Sequence, residues 1–197
     1  MPSALHRPVL AALLLVAGPA LAHPGHDTAD GGFLAGLFHP LTGADHLLAL
    51  LAIGLWSGLA ARDRRMQVEQ AVLPLALFAG GVGWGLSMPV PALLEPALAG
   101  TVLALGLLIA ASQRLPRSAT LLAVGVFAML HGGAHGHDWQ TRAHPAALAA
   151  GALVGTGLLL AFGSGLGYWL RDASRWTRRA AGAAVAAAGL LLMAGAA

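Results

Sequence analysis

The chain contains no cysteine and no lysine. Without cysteine it can form neither disulfides nor thiolate metal sites, so any metal must be held by nitrogen and oxygen donors or by methionine sulfur. Without lysine it lacks the ammonium of a P-loop and any Schiff-base nucleophile. No ATP-binding motif is encoded, and no prosthetic group is expected. Charge is also scarce: charged residues make up 10% of the 197 positions, against about 25% in soluble domains. Hydrophobic residues make up 57%, and the mean hydropathy is +0.74. A chain of this length cannot hide that much apolar surface in a soluble core. The composition predicts an all-α integral membrane protein. The formal charge of +3 arises from arginines that fall between apolar runs, where they report topology, and no nucleic-acid partner is expected.

Taken in order, residues 1–22 read as a cleavable signal peptide. Arg7 supplies the positive region, Val9 to Ala17 the apolar region, and Ala20-Leu21-Ala22 a small-residue cleavage site. Residues 23–32 form a polar, histidine-containing segment on the outer side. Residues 33–197 form the transmembrane domain. Six apolar runs lie at about 39–61, 70–88, 92–113, 117–134, 146–170 and 179–197, each near the ~20 residues a spanning helix needs. Arg62, Arg64, Arg65, Arg114, Arg117, Arg171, Arg175, Arg178 and Arg179 occupy alternate loops, and Arg142 alone occupies the others. The positive-inside rule then places both mature termini outside the cytoplasm, in the periplasm of a bacterial inner membrane. Trp84 and Trp139 fall at outer span ends, and Trp56, Trp169 and Trp176 at inner ends, as in an aromatic belt. Glycine pairs four residues apart (54/58, 81/85, 151/155 and 163/167) suit close helix packing. Six spans divide into three plus three, which predicts inverted halves, although no repeat is evident residue by residue.

The chemistry gathers in two clusters. The first is His39-Pro-Leu-Thr-Gly-Ala-Asp45-His46 at the mouth of the first span. Ionisable groups in a membrane are costly and mark sites where they pair, line a cavity or handle an ion. Seven residues return His39 and His46 to one helix face but separate them by ~10 Å along the axis. Either the helix is distorted at Pro40 and Gly43, or further ligands come from another span. Pro40 suits the first turn of a helix. The second cluster closes the fourth span: His131, His135 and Asp138 follow i, i+4, i+7 spacing, with His137 beside them. Glycines there predict a frayed helix end. Topology puts both clusters, and every mature histidine, on the outer side. His23 and His26 are candidates for metal capture. His144 and Glu95, at span entrances, are weaker candidates.

The sequence of motifs resembles the HupE/UreJ family of hydrogenase and urease accessory proteins: His23-Pro-Gly-His26 after the signal peptide, His39-Pro-x-x-Gly-x-Asp-His46 in the first span, and His131-Gly-x-x-His135-Gly in the fourth. The likeness covers essentially the whole chain. It implies a nickel permease, also able to carry cobalt, that feeds hydrogenase or urease maturation. By position, it implies that His39, Asp45 and His46 are the essential motif residues and that His131 and His135 form the second cluster. The first motif also looks like the His-x4-Asp-His signature of larger nickel and cobalt transporters, with one residue more before Asp45. Leu50 stands where a Met is expected.

The leading expectation is a secondary or facilitated permease for Ni²⁺ or Co²⁺ and not an enzyme. Imidazole and carboxylate suit such borderline ions. Expected partners are the divalent ion, the lipid bilayer and, as an open option, a second copy of the chain. A metal store or sensor, a membrane metalloenzyme and a haem carrier are the alternatives.

Overall fold

The computed structural model describes residues 32–89, 93–111 and 115–195. The expected signal peptide, His23, His26 and Arg114 lie outside the described residues. Seven α-helices follow in order: α1 Phe33–Thr42, α2 Ala44–Ala60, α3 Arg64–Ser87, α4 Leu94–Ala110, α5 Arg117–Asp138, α6 Pro145–Trp169 and α7 Arg175–Gly195, with a 3₁₀ turn at Leu170–Asp172. Among the described residues there is no strand.

Each expected apolar run is helical over most of its described length, the first with a break at Gly43. Four helices (α3, α5, α6 with its terminal turn, and α7) are long and apolar enough to cross a membrane. The pair α1–α2 passes only jointly, bent by 84° at its break, which makes five. α4 is apolar but has 17 residues, about 25 Å by helical rise, short of a ~30 Å hydrocarbon core.

The expected first span is corrected in two ways. The helix starts at Phe33, and it breaks at Gly43, whose backbone is extended (φ −103°, ψ 124°). Pro40 is therefore not in a first turn. It sits in the third turn of α1, where it removes the hydrogen bond to the Gly36 carbonyl and weakens the helix just before the break. Gly43 suits the break because a Cβ there would press on Asp45 Oδ1 and His46 Nδ1. The Thr42 hydroxyl donates to the His39 carbonyl at 2.7 Å, satisfying one of the acceptors that a helix end leaves open.

α5 shows the opposite outcome. The fraying expected around Gly132 and Gly136 does not occur, and the helix runs through Asp138. Tertiary packing overrides weak propensity here. Each glycine lies against a backbone carbonyl of α3, Phe78 and Val82 respectively, at a distance no other residue would permit.

The helices pair as α3 with α5, α4 with α7, α2 with α6, and α1 with α6. The glycine pairs expected as packing features lie in three of these seams, and the α4–α7 seam uses Gly106, Gly182 and Gly189 instead. One core cluster is built on Leu50, Ile53, Trp56, Leu105 and Ile109. A second, on Phe78, Val82, Ala128, Trp139 and Leu148, underlies the histidines. Large apolar side chains on the outside, such as Leu122, Leu158, Phe162 and Leu191, face where lipid would lie. The aromatic belt is corrected for two members: Trp56 and Trp139 are 2% and 3% exposed, so they pack the interior. Trp169 and Trp176 are exposed.

Apart from Arg142, the described arginines lie at the end of the bundle opposite the histidines, and several do more than carry charge. Arg171 donates to the Gly58 carbonyl at 2.7 Å and to the Ala61 carbonyl, closing the C-terminus of α2. Glu69 accepts from Arg65 at 3.0 Å and from Arg117 at 2.8 Å, tying the start of α3 to the start of α5.

A Cβ at Gly58 would collide with the Ser164 carbonyl, whereas one at Gly165 meets open space. Gly58→Ala should therefore lower the thermal unfolding midpoint in detergent, by an overpacking cost of about 1–3 kcal/mol. Gly165→Ala should be neutral or stabilising by up to about 1 kcal/mol, the difference in helix propensity. Equal midpoints would show that the α2–α6 seam is not tight.

Candidate metal-binding site

The break at Gly43 brings the first motif together. His39, near the end of α1, and His46, in the first turn of α2, have ring centroids 6.3 Å apart, in place of the two-turn separation of a straight helix. Both alternatives raised by the spacing hold: the helix is distorted, and a second helix supplies more donors. His131 and His135 project from α5 into the same space. His135 is central, with its ring 4.3 Å from His46 and 4.7 Å from His39. His46 and His131 are 5.9 Å apart. His39 Nε2 and His135 Nδ1 share a hydrogen bond of 3.0 Å.

The hydrogen bonds fix which nitrogens are free. His131 Nδ1 faces the Phe127 carbonyl at 2.8 Å. A carbonyl only accepts, so Nδ1 carries the proton and Nε2 keeps a lone pair. His46 Nδ1 stands 3.0 Å from Asp45 Oδ2, so the same assignment holds there. Asp45 thus orients His46, as outer carboxylates orient metal-binding imidazoles. When His135 Nδ1 donates to His39, its Nε2 is free as well. The Nε2 atoms of His46, His131 and His135 are all buried without a hydrogen-bond partner. Three lone pairs are then carried by neighbouring rings, His46 lying 5.9 Å from His131 and 4.3 Å from His135. His131 and His135 are 1% and 0% exposed.

The donors are gathered but not closed. Among the described residues no group of three or more His, Asp or Glu side chains forms a ready coordination set. The rings meet edge to face or tilted, so an ion would require them to turn.

The other candidates stay apart from this cluster. His137 and Asp138 are exposed at the end of α5, His144 is exposed before α6, and Glu95 is exposed in the first turn of α4. Leu50 is fully buried among core residues, which makes its departure from the expected Met a matter of packing.

Sequence reasoning missed two walls of the site. Trp139 stacks on His135 (5.2 Å, 15° between planes) and meets His39 edge-on at 5.4 Å. Phe78, from α3, approaches His135 at 5.5 Å. A signal for Trp139 was present: His131, His135 and Trp139 lie at i, i+4 and i+8, one helix face. Gln140 secures the turn after Trp139 by donating to the carbonyls of Gly85 at 2.6 Å and Met88 at 3.1 Å.

The chain is 36% identical over 190 residues to Protein HupE of Rhizobium leguminosarum bv. viciae, a match covering 94% of this chain and 95% of the relative. No solved structure matches. The family described as HupE / UreJ protein matches residues 11–192. The chain belongs to the HupE/UreJ family, and its apolar helices are those of a multi-pass membrane protein.

Proposed function

We propose that the chain is a permease that carries Ni²⁺, and also Co²⁺, across the bacterial inner membrane to supply hydrogenase or urease maturation. The observation that carries this reading is the set of three buried, partnerless Nε2 atoms on neighbouring histidine rings, two of them oriented by hydrogen bonds at Nδ1. Imidazole donors without thiolates suit borderline divalent ions. The family and the HupE relative support the accessory role. The open arrangement of the rings suits cargo that must leave again.

In this reading the bent α1–α2 pair and α4 each count as a span, giving six. The signal peptide is removed, and both mature termini lie in the periplasm. His39, His46, His131 and His135 receive the ion from that side. Asp45 orients His46 and supplies negative charge. His23 and His26 capture metal ahead of the site, with His137, Asp138, His144 and Glu95 as lesser attractors around the mouth. An inward-negative potential favours entry by roughly 2.3 kcal/mol per charge per 100 mV, about 4.6 kcal/mol for a divalent ion. No nucleotide is then required, and the protein is a carrier and not an enzyme.

Uptake of radioactive nickel by cells expressing the protein tests this directly. His46→Ala and His135→Ala should abolish uptake, and Asp45→Asn should lower it about 10–100-fold, the usual effect of losing an orienting carboxylate. Unchanged uptake at equal protein levels would refute the assignment. Binding without uptake would make the protein a membrane metal store or sensor.

A second measurement uses Trp139. Titrating the purified protein with Ni²⁺ should quench tryptophan emission, because a paramagnetic ion among the histidines lies beside that ring. Trp139→Phe should lose most of the quenching, although four other tryptophans remain. Undiminished quenching would place the ion elsewhere.

A further inference from the structure

The seams between helices hold a repeat that the sequence does not display. Gly54 and Gly58 of α2 lie against the carbonyls of Leu160 and Ser164 in α6. Gly132 and Gly136 of α5 lie against those of Phe78 and Val82 in α3. The reciprocal contacts agree: Gly163 and Gly167 of α6 meet the carbonyls of Leu51 and Leu55, while Gly81 and Gly85 of α3 meet those of Met129 and Gly133. One constant shift carries α2 onto α5, and another carries α6 onto α3, with every one of these contacts preserved. α2 begins at the histidine site and α5 ends there, so the two pairs run in opposite directions. The remaining pair, α4 and α7, packs antiparallel, with Gly106 against Ala186 and Gly182 against Ala110. That is what exchange of two inverted halves requires.

The same shift carries Ser57 onto His135, and Ile53 onto His131. Ser57 is 3% exposed, and its hydroxyl has no hydrogen-bond partner. A helical serine ordinarily bonds back to the preceding turn, as Ser87 does to the Gly83 carbonyl at 2.8 Å. At the arginine end a cavity of about 570 Å³ opens, lined by Trp56, the residue before Ser57, and not by Ser57 itself. Its wall includes Trp56 and Leu59 to Arg62 on the α2 side, the counterparts of Ala134 and His137 to Gln140 at the histidine end. Leu108, Ile109 and Leu115, the Asp172 carboxylate, and Arg171 and Arg178 form the rest of the wall, the two arginines held there by backbone carbonyls.

We propose that Ser57 is the second binding position for the transported divalent cation, the counterpart of His135 in the other half of an inverted repeat, from which the ion is released through the arginine-end cavity. This rests on the permease reading. The two ends differ in strength in a useful order. Several imidazoles receive the ion at one end, whereas a single hydroxyl holds it at the other, near a cavity that three guanidinium groups and only one carboxylate, Asp172, line. Conduction needs a site favourable enough to enter and weak enough to leave, and this gradient favours release.

The absence of cysteine makes the test clean, since Ser57→Cys introduces the sole thiol. In proteoliposomes, Cd²⁺ should inhibit nickel uptake at a concentration at least tenfold lower for Ser57→Cys than for the unsubstituted chain or for Ala186→Cys, a buried position in the α4–α7 seam. Purified Ser57→Cys should gain a thiolate-to-cadmium absorption band in the near ultraviolet. Ser57→Ala should slow uptake at least threefold while nickel still quenches Trp139. Cadmium sensitivity equal to that of Ala186→Cys, no cadmium band from an intact thiol, or full uptake by Ser57→Ala would each overturn the proposal. Failure of the permease reading shows separately, as no uptake by the unsubstituted chain, and the cadmium band then decides the Ser57 site alone.

Discussion

The break at Gly43 is the constraint on which the histidine site depends. An interrupted helix in an apolar environment leaves backbone groups that must find partners inside the protein. Here the interruption is short and partly satisfied, by Thr42 at the end of α1 and by the immediate restart of α2. It converts a two-turn separation into facing rings. The arm that carries His39 is held chiefly by α6 and not by its own neighbour α2. Gly151 and Gly155 let the carbonyls of Phe33 and Leu37 come against α6. α6 therefore contributes no imidazole, yet it sets where His39 points.

Much of this was legible in the sequence, and the limits have physical causes. Apolar runs, arginine spacing and histidine placement gave helices, polarity and the convergence of two clusters, because each depends on local composition. The start at Phe33 was missed because Pro40 reads as a helix N-terminus, and its position late in α1 follows only from the packing against α6. The persistence of α5 to Asp138 was missed for the converse reason: glycine lowers propensity locally, while its value appears only against the backbone of α3. Trp56 and Trp139 show the same limit. A tryptophan near a span end suits either an interface or a core, and the choice rests on which helix lies opposite.

The arginine end illustrates how one residue type serves two purposes. The positive-inside pattern treats Arg62, Arg171 and Arg178 as interchangeable charges. In the folded chain they differ. Arg171 closes the open carbonyls of α2, Arg178 does the same for the turn after α6, and Arg62 reaches the Leu115 carbonyl at 3.3 Å. A guanidinium presents five donors in a fixed fork, so it can satisfy several helix-end acceptors at once where an ammonium would not. The absence of lysine fits that geometry as well as it fits topology.

The protonation pattern of the histidines gives the last step. Each buried polar group left without a partner costs about 1–3 kcal/mol, and three imidazole nitrogens on neighbouring rings are in that condition. Packing alone would favour apolar residues there, since Phe78 and Trp139 already fill the walls. The Nδ1 hydrogen bonds of His46 and His131 hold those rings in the tautomer that leaves Nε2 basic. An arrangement that fixes one nitrogen and leaves the other unsatisfied is destabilising for the empty protein and favourable for an electrophilic guest. With edge-on rings instead of a closed shell, the guest would recover only part of that cost on entering. On the permease reading this sets a moderate affinity: enough to draw the ion out of water, and too little to keep it.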